Sequence, residues 1–137
     1  MGLVYENITL KNTLDVLNSR RGIINESDIR EINVRAMVDT GAETLVINEE
    51  MRLELGLETE GQRQVSLAND AYETCIITEP VMVYWKNRSS VTRALVLQGL
   101  TEVLLGAIPL EEMNLVVDPK NKQLTGVNGD EVVLKVK

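Results

Sequence analysis

The feature that most constrains the fold of this chain is that its apolar residues fall in short runs, each followed by turn formers. Three of these runs are Leu45–Ile47, Val81–Trp85 and Val103–Leu105, and an Asn or Gly follows each within two residues. Runs of this length suit strands, because a helix usually needs a periodic pattern of at least about ten residues. The sequence therefore predicts a mainly β protein with two short helices.

Capping residues mark the two predicted helices. Asn48 is placed as the N-cap of the first helix, and Gly56 fits the position just after its last turn. Pro109 is predicted as the first residue of the second helix, since the N–H that a proline lacks is unpaired there in any case. The polar stretch Asn12–Ser27 is predicted as a long exposed loop, in which Thr13–Leu17 could also hold a helical turn.

Several other segments are predicted to pair as strands. The predicted pairs are Gln64–Leu67 with Thr74–Ile77, and Val81–Trp85 with Val91–Leu97. The first pair forms a hairpin, because the turn formers of Ala68–Ala71 lie between its strands. A further strand is predicted over Glu131–Val136, after a turn at Asn128-Gly129.

Composition limits both the architecture and the chemistry. A chain of 137 residues that is 44% apolar and 26% charged is expected to fold as one globular domain, with residues 1–30 as an N-terminal strand and loop extension. There is no His, and the single Cys75 cannot form an intrachain disulfide. Zinc sites of the usual ligand sets and Ser-His-Asp or Cys-His catalysis are excluded, so no metal or other cofactor is expected. Catalysis would have to come from carboxylates, hydroxyls, Lys or the lone thiol.

Charge and hydropathy limit the partners. The net charge of -7 argues against nucleic acid, because affinity for a phosphate backbone depends on Lys and Arg. No apolar run approaches the roughly 20 residues of a membrane-spanning helix, so no membrane partner is expected. No basic region followed by an apolar stretch begins the sequence, and the expected location is therefore the cytoplasm.

Two glycine-containing motifs carry the functional information. Asp39 ends an apolar strand and is followed by Thr40-Gly41, which puts a carboxylate at the base of a loop. Taken alone, this motif fits equally well a turn in which Asp39 bonds its own backbone. Leu104-Leu105-Gly106 repeats the pattern of two apolar residues and a glycine before a short helix, and alone it would indicate a buried strand ending in a turn.

From about Val34 to Leu124 the sequence resembles the retroviral-type (retropepsin-like) single-domain aspartic proteases, and more closely their small prokaryotic relatives. The shared features, in the family's order, are Asp39-Thr40-Gly41-Ala42, the Asn48–Leu57 helix, a flap-like hairpin, Leu104-Leu105-Gly106 and Leu115–Pro119. The resemblance implies a closed, β-barrel-like fold with a flap hairpin. It also implies a homodimer in which each chain supplies one Asp-Thr-Gly loop to a shared site.

The resemblance assigns roles to particular residues. Asp39 would be the catalytic carboxylate, Thr40 would bond across the two-fold axis, and Gly41 would offer its backbone to the bound peptide. The remaining predicted site residues are Ala42 in the same loop, Leu104, Leu105 and Gly106 as apolar support beneath it, and Ala68, Asn69, Asp70 and Ala71 as the flap tip. The implied activity is that of an aspartic endopeptidase, with a peptide or protein as substrate.

A pairing of carboxyls has a physical reason of its own. An isolated aspartic acid has a reference pKa of about 3.9, so at neutral pH it is a poor base and cannot also act as an acid. Two carboxyls about 3 Å apart cannot both ionise, and they share one proton. One member can then activate a water while the other protonates the developing oxyanion, with no metal and no covalent intermediate.

A second hypothesis gives this chain the same fold without the enzyme. A catalytically weak or inactive dimerisation or peptide-binding module is favoured by the absence of glycine from Ala68–Ala71, since viral flaps are rich in glycine. The intact Asp39-Thr40-Gly41 favours the endopeptidase. A third hypothesis, an acidic metal-binding domain, is weaker because no spacing matches a calcium loop. Cys75 lies in an apolar strand pattern and is interpreted as an inert buried thiol.

Overall fold

The computed structural model describes residues 3–136 and shows a mainly β architecture, as the sequence predicts. Among these residues are eleven strands, three α-helices and one 3₁₀ turn over Glu26–Asp28. The strands are β1 (Tyr5–Asn12), β2 (Glu31–Val38), β3 (Leu45–Ile47), β4 (Thr59–Ser66), β5 (Tyr72–Thr78), β6 (Val81–Trp85), β7 (Arg88–Thr92), β8 (Ala94–Val96), β9 (Val103–Leu105), β10 (Leu115–Asp118) and β11 (Gln123–Gly126). The helices are α1 (Thr13–Arg20), α2 (Glu49–Leu55) and α3 (Ala107–Glu112).

Nine of the strands form one sheet, and its edges stay open. The strand order is β4-β5-β8-β3-β9-β2-β1-β6-β7, while β10 and β11 form a separate hairpin. The predicted closed barrel is therefore wrong for residues 3–136, since β4 and β7 end the sheet without pairing with each other. At the β7 edge, the backbone N–H of Val91 donates instead to the Glu112 carboxylate of α3, 2.9 Å away. A side chain that takes up an edge N–H in this way blunts further strand addition.

The short central strands β3 and β9 are completely apolar, with one face in the core and the other, through Val46 and Leu104, lining a cleft. Leu45 and Ile47 of β3 and Leu105 of β9 are fully buried, as is Leu55 of α2. Strand β9 pairs in parallel with β2 and antiparallel with β3. Because neither face of these strands carries a polar side chain, they appear in sequence as continuous apolar runs, which is why they could be predicted.

Helix α2 confirms its sequence prediction. The Asn48 side chain accepts a hydrogen bond from Met51 N at 2.9 Å, and Gly56 takes the left-handed conformation with φ of 65° just after the helix. In α3, Pro109 is the third residue rather than the first, because the helix starts at Ala107. The first turn still tolerates proline, since its N–H groups have no partner within the helix.

The predicted N-terminal loop is wrong over half of its length, because Thr13–Arg20 forms α1. The Asn12 side chain caps this helix by accepting from Asp15 N at 3.0 Å, and its amide donates to Leu55 O at 2.9 Å. The buried Asp15 carboxylate accepts from the backbone N, Nε and Nη2 of Arg30. These long-range contacts stabilise a helix whose own sequence is largely polar. The helical turn that the sequence allowed at Thr13–Leu17 is therefore present, but the helix continues to Arg20.

Two strand predictions also need correction. The predicted Val91–Leu97 is divided at Arg93: β7 pairs with β6, and β8 turns away to pair with β3 and β5. The predicted strand Glu131–Val136 is reduced to one isolated bridge between Asn128 and Glu131. Residues 132–136 are exposed and have no strand partner among residues 3–136. Among residues 3–136, none of the helices has the length and apolar character that a membrane span requires.

Candidate active site

Asp39 lies in a tight loop directly after β2. Its backbone N donates to Leu105 O at 3.0 Å, which ties the loop to the end of the neighbouring strand β9. Within the loop, Gly41 N donates to Asp39 Oδ1 at 2.9 Å and Ala42 N donates to Asp39 O at 3.1 Å. Asp39 therefore does make a turn with its own backbone, and the same turn fixes the direction of its carboxylate.

Gly106 lets the loop pack directly against β9 and α3. A Cβ at this position would collide with Thr44 O, and would lie 2.6 Å from Ala42 O and 2.8 Å from Thr44 N. All three atoms are backbone, so none can move aside as a flexible side chain could. The two motifs that stand far apart in the sequence are thus brought into contact, and only glycine fits between them.

Two further hydrogen bonds join the loop to the first turn of α3. Ala107 N donates to Ala42 O and Ile108 N donates to Glu43 O, both at 2.8 Å. The first N–H groups of a helix have no partner in their own helix, so the loop carbonyls satisfy them. The loop is thereby bonded on one side to β9 and on the other to α3.

The residues of the apolar motif divide between the core and the loop's cleft. Leu105 is fully buried beneath the loop, whereas Leu104 lies on the wall of a cleft of about 1180 Å³. Asp39, Gly41 and Ala42 line the same cleft. Thr40 is exposed at the surface.

The hairpin of β4 and β5, with its turn Leu67–Ala71, covers one side of this cleft; we call it the cleft hairpin. Ala68 lines the cleft, as do Val65 and Leu67. Asn69, Asp70 and Ala71, which complete the predicted flap tip, are exposed and are not part of the lining.

The turn of the cleft hairpin forms without glycine because Asp70 takes the left-handed conformation, with φ of 66°. Asp and Asn are the residues other than glycine that adopt this conformation most readily. The turn is closed by hydrogen bonds from Leu67 N to Ala71 O and from Ala71 N to Asn69 Oδ1. A tip without glycine is therefore compatible with a tight hairpin.

The geometry can be set beside known proteins. The family model described as "Aspartyl protease" matches residues 24–107, which is more than half of the chain and includes both glycine motifs. The chain belongs to the aspartyl protease family. A retropepsin-like aspartic protease from Rickettsia conorii has a similar structure, with a TM-score of 0.51 and 18% sequence identity over 85% of this chain and 77% of that chain. No curated protein matches the sequence.

These findings confirm the resemblance to retropepsin-like prokaryotic aspartic proteases. The structural match supports the fold, and the family match supports an aspartic protease. In this aspartyl protease, the loop that contains Asp39 and the Leu104-Leu105-Gly106 motif are in contact. Asp39 and Leu104 line the cleft that the cleft hairpin also lines.

Thr44 is a part of the site that the sequence did not reveal. Its hydroxyl lies 2.9 Å from the Thr92 hydroxyl and donates to Arg93 O at 2.9 Å. These bonds join the loop after Asp39 to the end of β7, so the break between β7 and β8 is held against the loop. No spacing in the sequence relates Thr44 to Thr92, because the contact depends on how the sheet folds.

Charged residues also line the protease cleft. Glu43 and Asp39 lie on the loop, while Arg63 and Arg93 come from the other walls. Arg93 is paired with Glu60, with Nε and Oε1 separated by 2.5 Å. Residues 3–136 contain no group of three His, Cys, Asp or Glu side chains placed to hold a metal ion.

Cys75 lies on the cleft wall and is almost fully buried. Burial is the main cause that raises the pKa of its thiol, and the nearby Glu73 carboxylate raises it further. A raised pKa reduces the thiolate fraction, so Cys75 is a poor nucleophile. This agrees with its interpretation as an inert thiol.

Proposed function

We propose that this chain is an aspartic endopeptidase that acts as a homodimer, with one Asp39 from each subunit in a shared cleft. The observation that carries the proposal is the position of Asp39 in the lining of the cleft, in a loop packed against Gly106 and held by hydrogen bonds to β9 and α3. A catalytic carboxylate has to be held in a fixed direction, and this loop is bonded on both sides.

One chain supplies one Asp39, which is why the proposal includes a dimer. A single ionised carboxylate can take a proton from water but cannot also donate one to the peptide carbonyl. Two Asp39 side chains at the two-fold axis would share a proton and divide these roles. The exposed Thr40 next to Asp39 is free to donate across such an axis, the role expected for it from the family.

In the proposed reaction, the ionised Asp39 removes a proton from a water as that water attacks the scissile carbonyl carbon. The protonated Asp39 of the second subunit donates to the carbonyl oxygen, which gives a tetrahedral intermediate. As the intermediate collapses, the first Asp39 donates the proton it took from water to the leaving nitrogen, and the C–N bond breaks. The Asp39 of the second subunit takes back a proton from a hydroxyl of the intermediate, which restores the starting pair. The cleft hairpin, in the role of a flap, would cover the peptide and reduce access of bulk water.

Asp39→Asn tests this proposal. The substitution keeps the size of the side chain but cannot act as a base, so kcat/KM on a broad peptide mixture should fall by about 10²- to 10⁴-fold. Thermal melting and the solution mass should not change. Asp130→Asn is the matched control, because Asp130 is exposed and does not line this cleft.

Three outcomes would each contradict a part of this proposal. Full hydrolysis by Asp39→Asn would show that another group is catalytic, and activity in a strictly monomeric preparation would exclude the shared site. Peptide binding that is unchanged in Asp39→Ala, without cleavage by the wild type from acid to neutral pH, would favour the non-catalytic binding module. The cytoplasmic location stays a prediction from the sequence.

A further inference from the structure

The cleft hairpin carries a guanidinium that has no carboxylate partner. Arg63 lies on β4, lines the cleft and is exposed. Its Nη1 donates to the Gln62 backbone carbonyl at 3.0 Å, and it takes part in none of the four ion pairs formed within residues 3–136. By contrast, the charge of Arg93 is neutralised by Glu60.

The register of the hairpin directs Arg63 toward the cleft. Directly opposite residues of an antiparallel pair have their side chains on the same face. Arg63 is opposite Cys75, and the neighbouring positions on that face are Val65 opposite Glu73 and Gly61 opposite Ile77. Cys75, Val65 and Ile77 line the cleft, whereas the half-buried Glu73 does not. Glu73 is the acidic residue on this face, and it forms none of the ion pairs found within residues 3–136. Arg63 therefore lies beside apolar side chains on the wall that a bound peptide would contact.

The other charges of the cleft restrict where an acidic ligand group could bind. Asp39 and Glu43 line the loop wall and would repel a second carboxylate there. Arg63 is the cleft cation without an internal ion pair among the described residues, so it offers the most favourable position for an acidic side chain. A guanidinium and a carboxylate can form two parallel charge-assisted hydrogen bonds.

We infer that Arg63 is a specificity-determining residue, which selects peptides with an Asp or Glu side chain directed at the cleft hairpin and an apolar side chain two residues away. The spacing follows from the extended peptide, in which alternate side chains share a face. The apolar side chain would pack beside Val65 or Ile77. This inference rests on the proposed function for its substrate class, but it concerns binding and can be tested separately.

The first test uses matched peptides that contain Glu, Gln or Lys at one position of a cleaved sequence. Wild type should process the Glu peptide with a kcat/KM about three- to tenfold above that of its Gln twin at about 50 mM salt, and the ratio should fall toward one at about 500 mM. Arg63→Gln should remove the preference, and Arg63→Glu should favour the Lys peptide. Salt dependence and reversal are effects that a purely structural role would not produce.

Arg21→Glu is the control for Arg63→Glu, since both substitutions change the net charge of the chain by the same amount. Arg21 is exposed just after α1 and does not line the cleft. Its variant should keep the wild-type preference for Glu over Gln. If Arg93→Gln removes the preference while Arg63→Gln does not, the assignment to Arg63 is wrong.

The second test measures peptide affinity with the Asp39→Asn protein, for example by fluorescence anisotropy, and does not depend on cleavage. Tighter binding of the Glu peptide than of the Gln peptide, lost in the Asp39→Asn, Arg63→Gln double variant, would support the inference. This holds even if the wild type cleaved nothing, and in that case only the proposed endopeptidase activity would fail. Cleavage without any preference for Glu would overturn the inference and leave the endopeptidase intact. Equal affinity for the Glu and Gln peptides, or no binding of either, would also overturn it.

Discussion

Gly106→Ala is the substitution whose effect the structure defines most closely. The added methyl group would meet three backbone atoms of the loop that contains Asp39, among them Ala42 O at 2.6 Å and Thr44 N at 2.8 Å. Real Cβ atoms essentially never approach other heavy atoms within 3.0 Å, so the loop has to move away from α3. That movement would strain or break the bonds from Ala107 N to Ala42 O and from Ile108 N to Glu43 O.

The size of the effect can be worked out from these contacts. Overpacking a well-filled site costs about 1–3 kcal/mol, and each weakened backbone hydrogen bond adds up to about 1 kcal/mol. We therefore expect Gly106→Ala to lower the free energy of unfolding by about 3 kcal/mol or more. For a chain of this size, that corresponds to a fall in Tm of roughly 10 °C. In terms of free energy, the loss in kcat/KM should exceed the loss in stability, because the displaced loop is the one that contains Asp39.

Urea and thermal denaturation would measure the loss, with Gly61→Ala as the control. A Cβ at Gly61 would meet only Ile77 Cγ2, at 3.9 Å, which is an ordinary van der Waals distance. The control should therefore keep the wild-type stability or gain up to about 1 kcal/mol, since alanine restricts the unfolded chain. If Gly106→Ala melted within about 2 °C of the wild type, the close contact between loop and helix would be refuted.

Two other predictions follow from groups with shifted pKa values. Hydrogen bonds from the Arg30 side chain lower the pKa of Asp15 in the folded protein. Ionised Asp15 therefore stabilises the fold at pH values above its unfolded pKa of about 3.9, and this stabilisation is lost as the pH falls through the lower pKa of the folded state. Asp15→Asn should therefore lose about 1–2 kcal/mol in urea denaturation at neutral pH and less in strong acid; an equal loss at both would contradict the ion pair. Since burial raises the pKa of Cys75, iodoacetamide should alkylate it at least about tenfold more slowly in the native than in the denatured protein, and equal rates would contradict its burial.

The parts of the fold that sequence predicted correctly are those governed by local chemistry. Asn48 and Gly56 mark the ends of α2 because capping depends on a few neighbouring residues. Leu45–Ile47 and Val103–Leu105 were predicted as strands because short continuous apolar runs bounded by turn residues suit strands. The cleft hairpin was predicted from turn formers between two strand patterns, although both strands are longer than expected.

The errors fall where distant contacts override a local pattern. Thr13–Arg20 is polar and was assigned mainly to a loop, yet Asp15 is buried against Arg30 and the cap residue Asn12 also bonds Leu55 O. Glu131–Val136 has a strand-like composition but pairs with no strand in the described residues, because a strand needs a neighbour as well as a pattern. The closed barrel was implied by the resemblance, and it is excluded for residues 3–136 because the edge strands β4 and β7 do not pair with each other.

The sequence by itself determined the candidate chemistry of this protein: without His or a second Cys, an Asp-Thr-Gly loop directs attention to Asp39, and the family match agrees. Only the tertiary structure decided what surrounds that carboxylate. Gly106 admits the loop backbone, Thr44 bonds across to β7, and Arg63 faces the cleft without an ion-pair partner among the described residues. The physical reason is that a motif specifies which groups a short segment can offer, whereas contacts between distant segments depend on the pairing of the whole sheet.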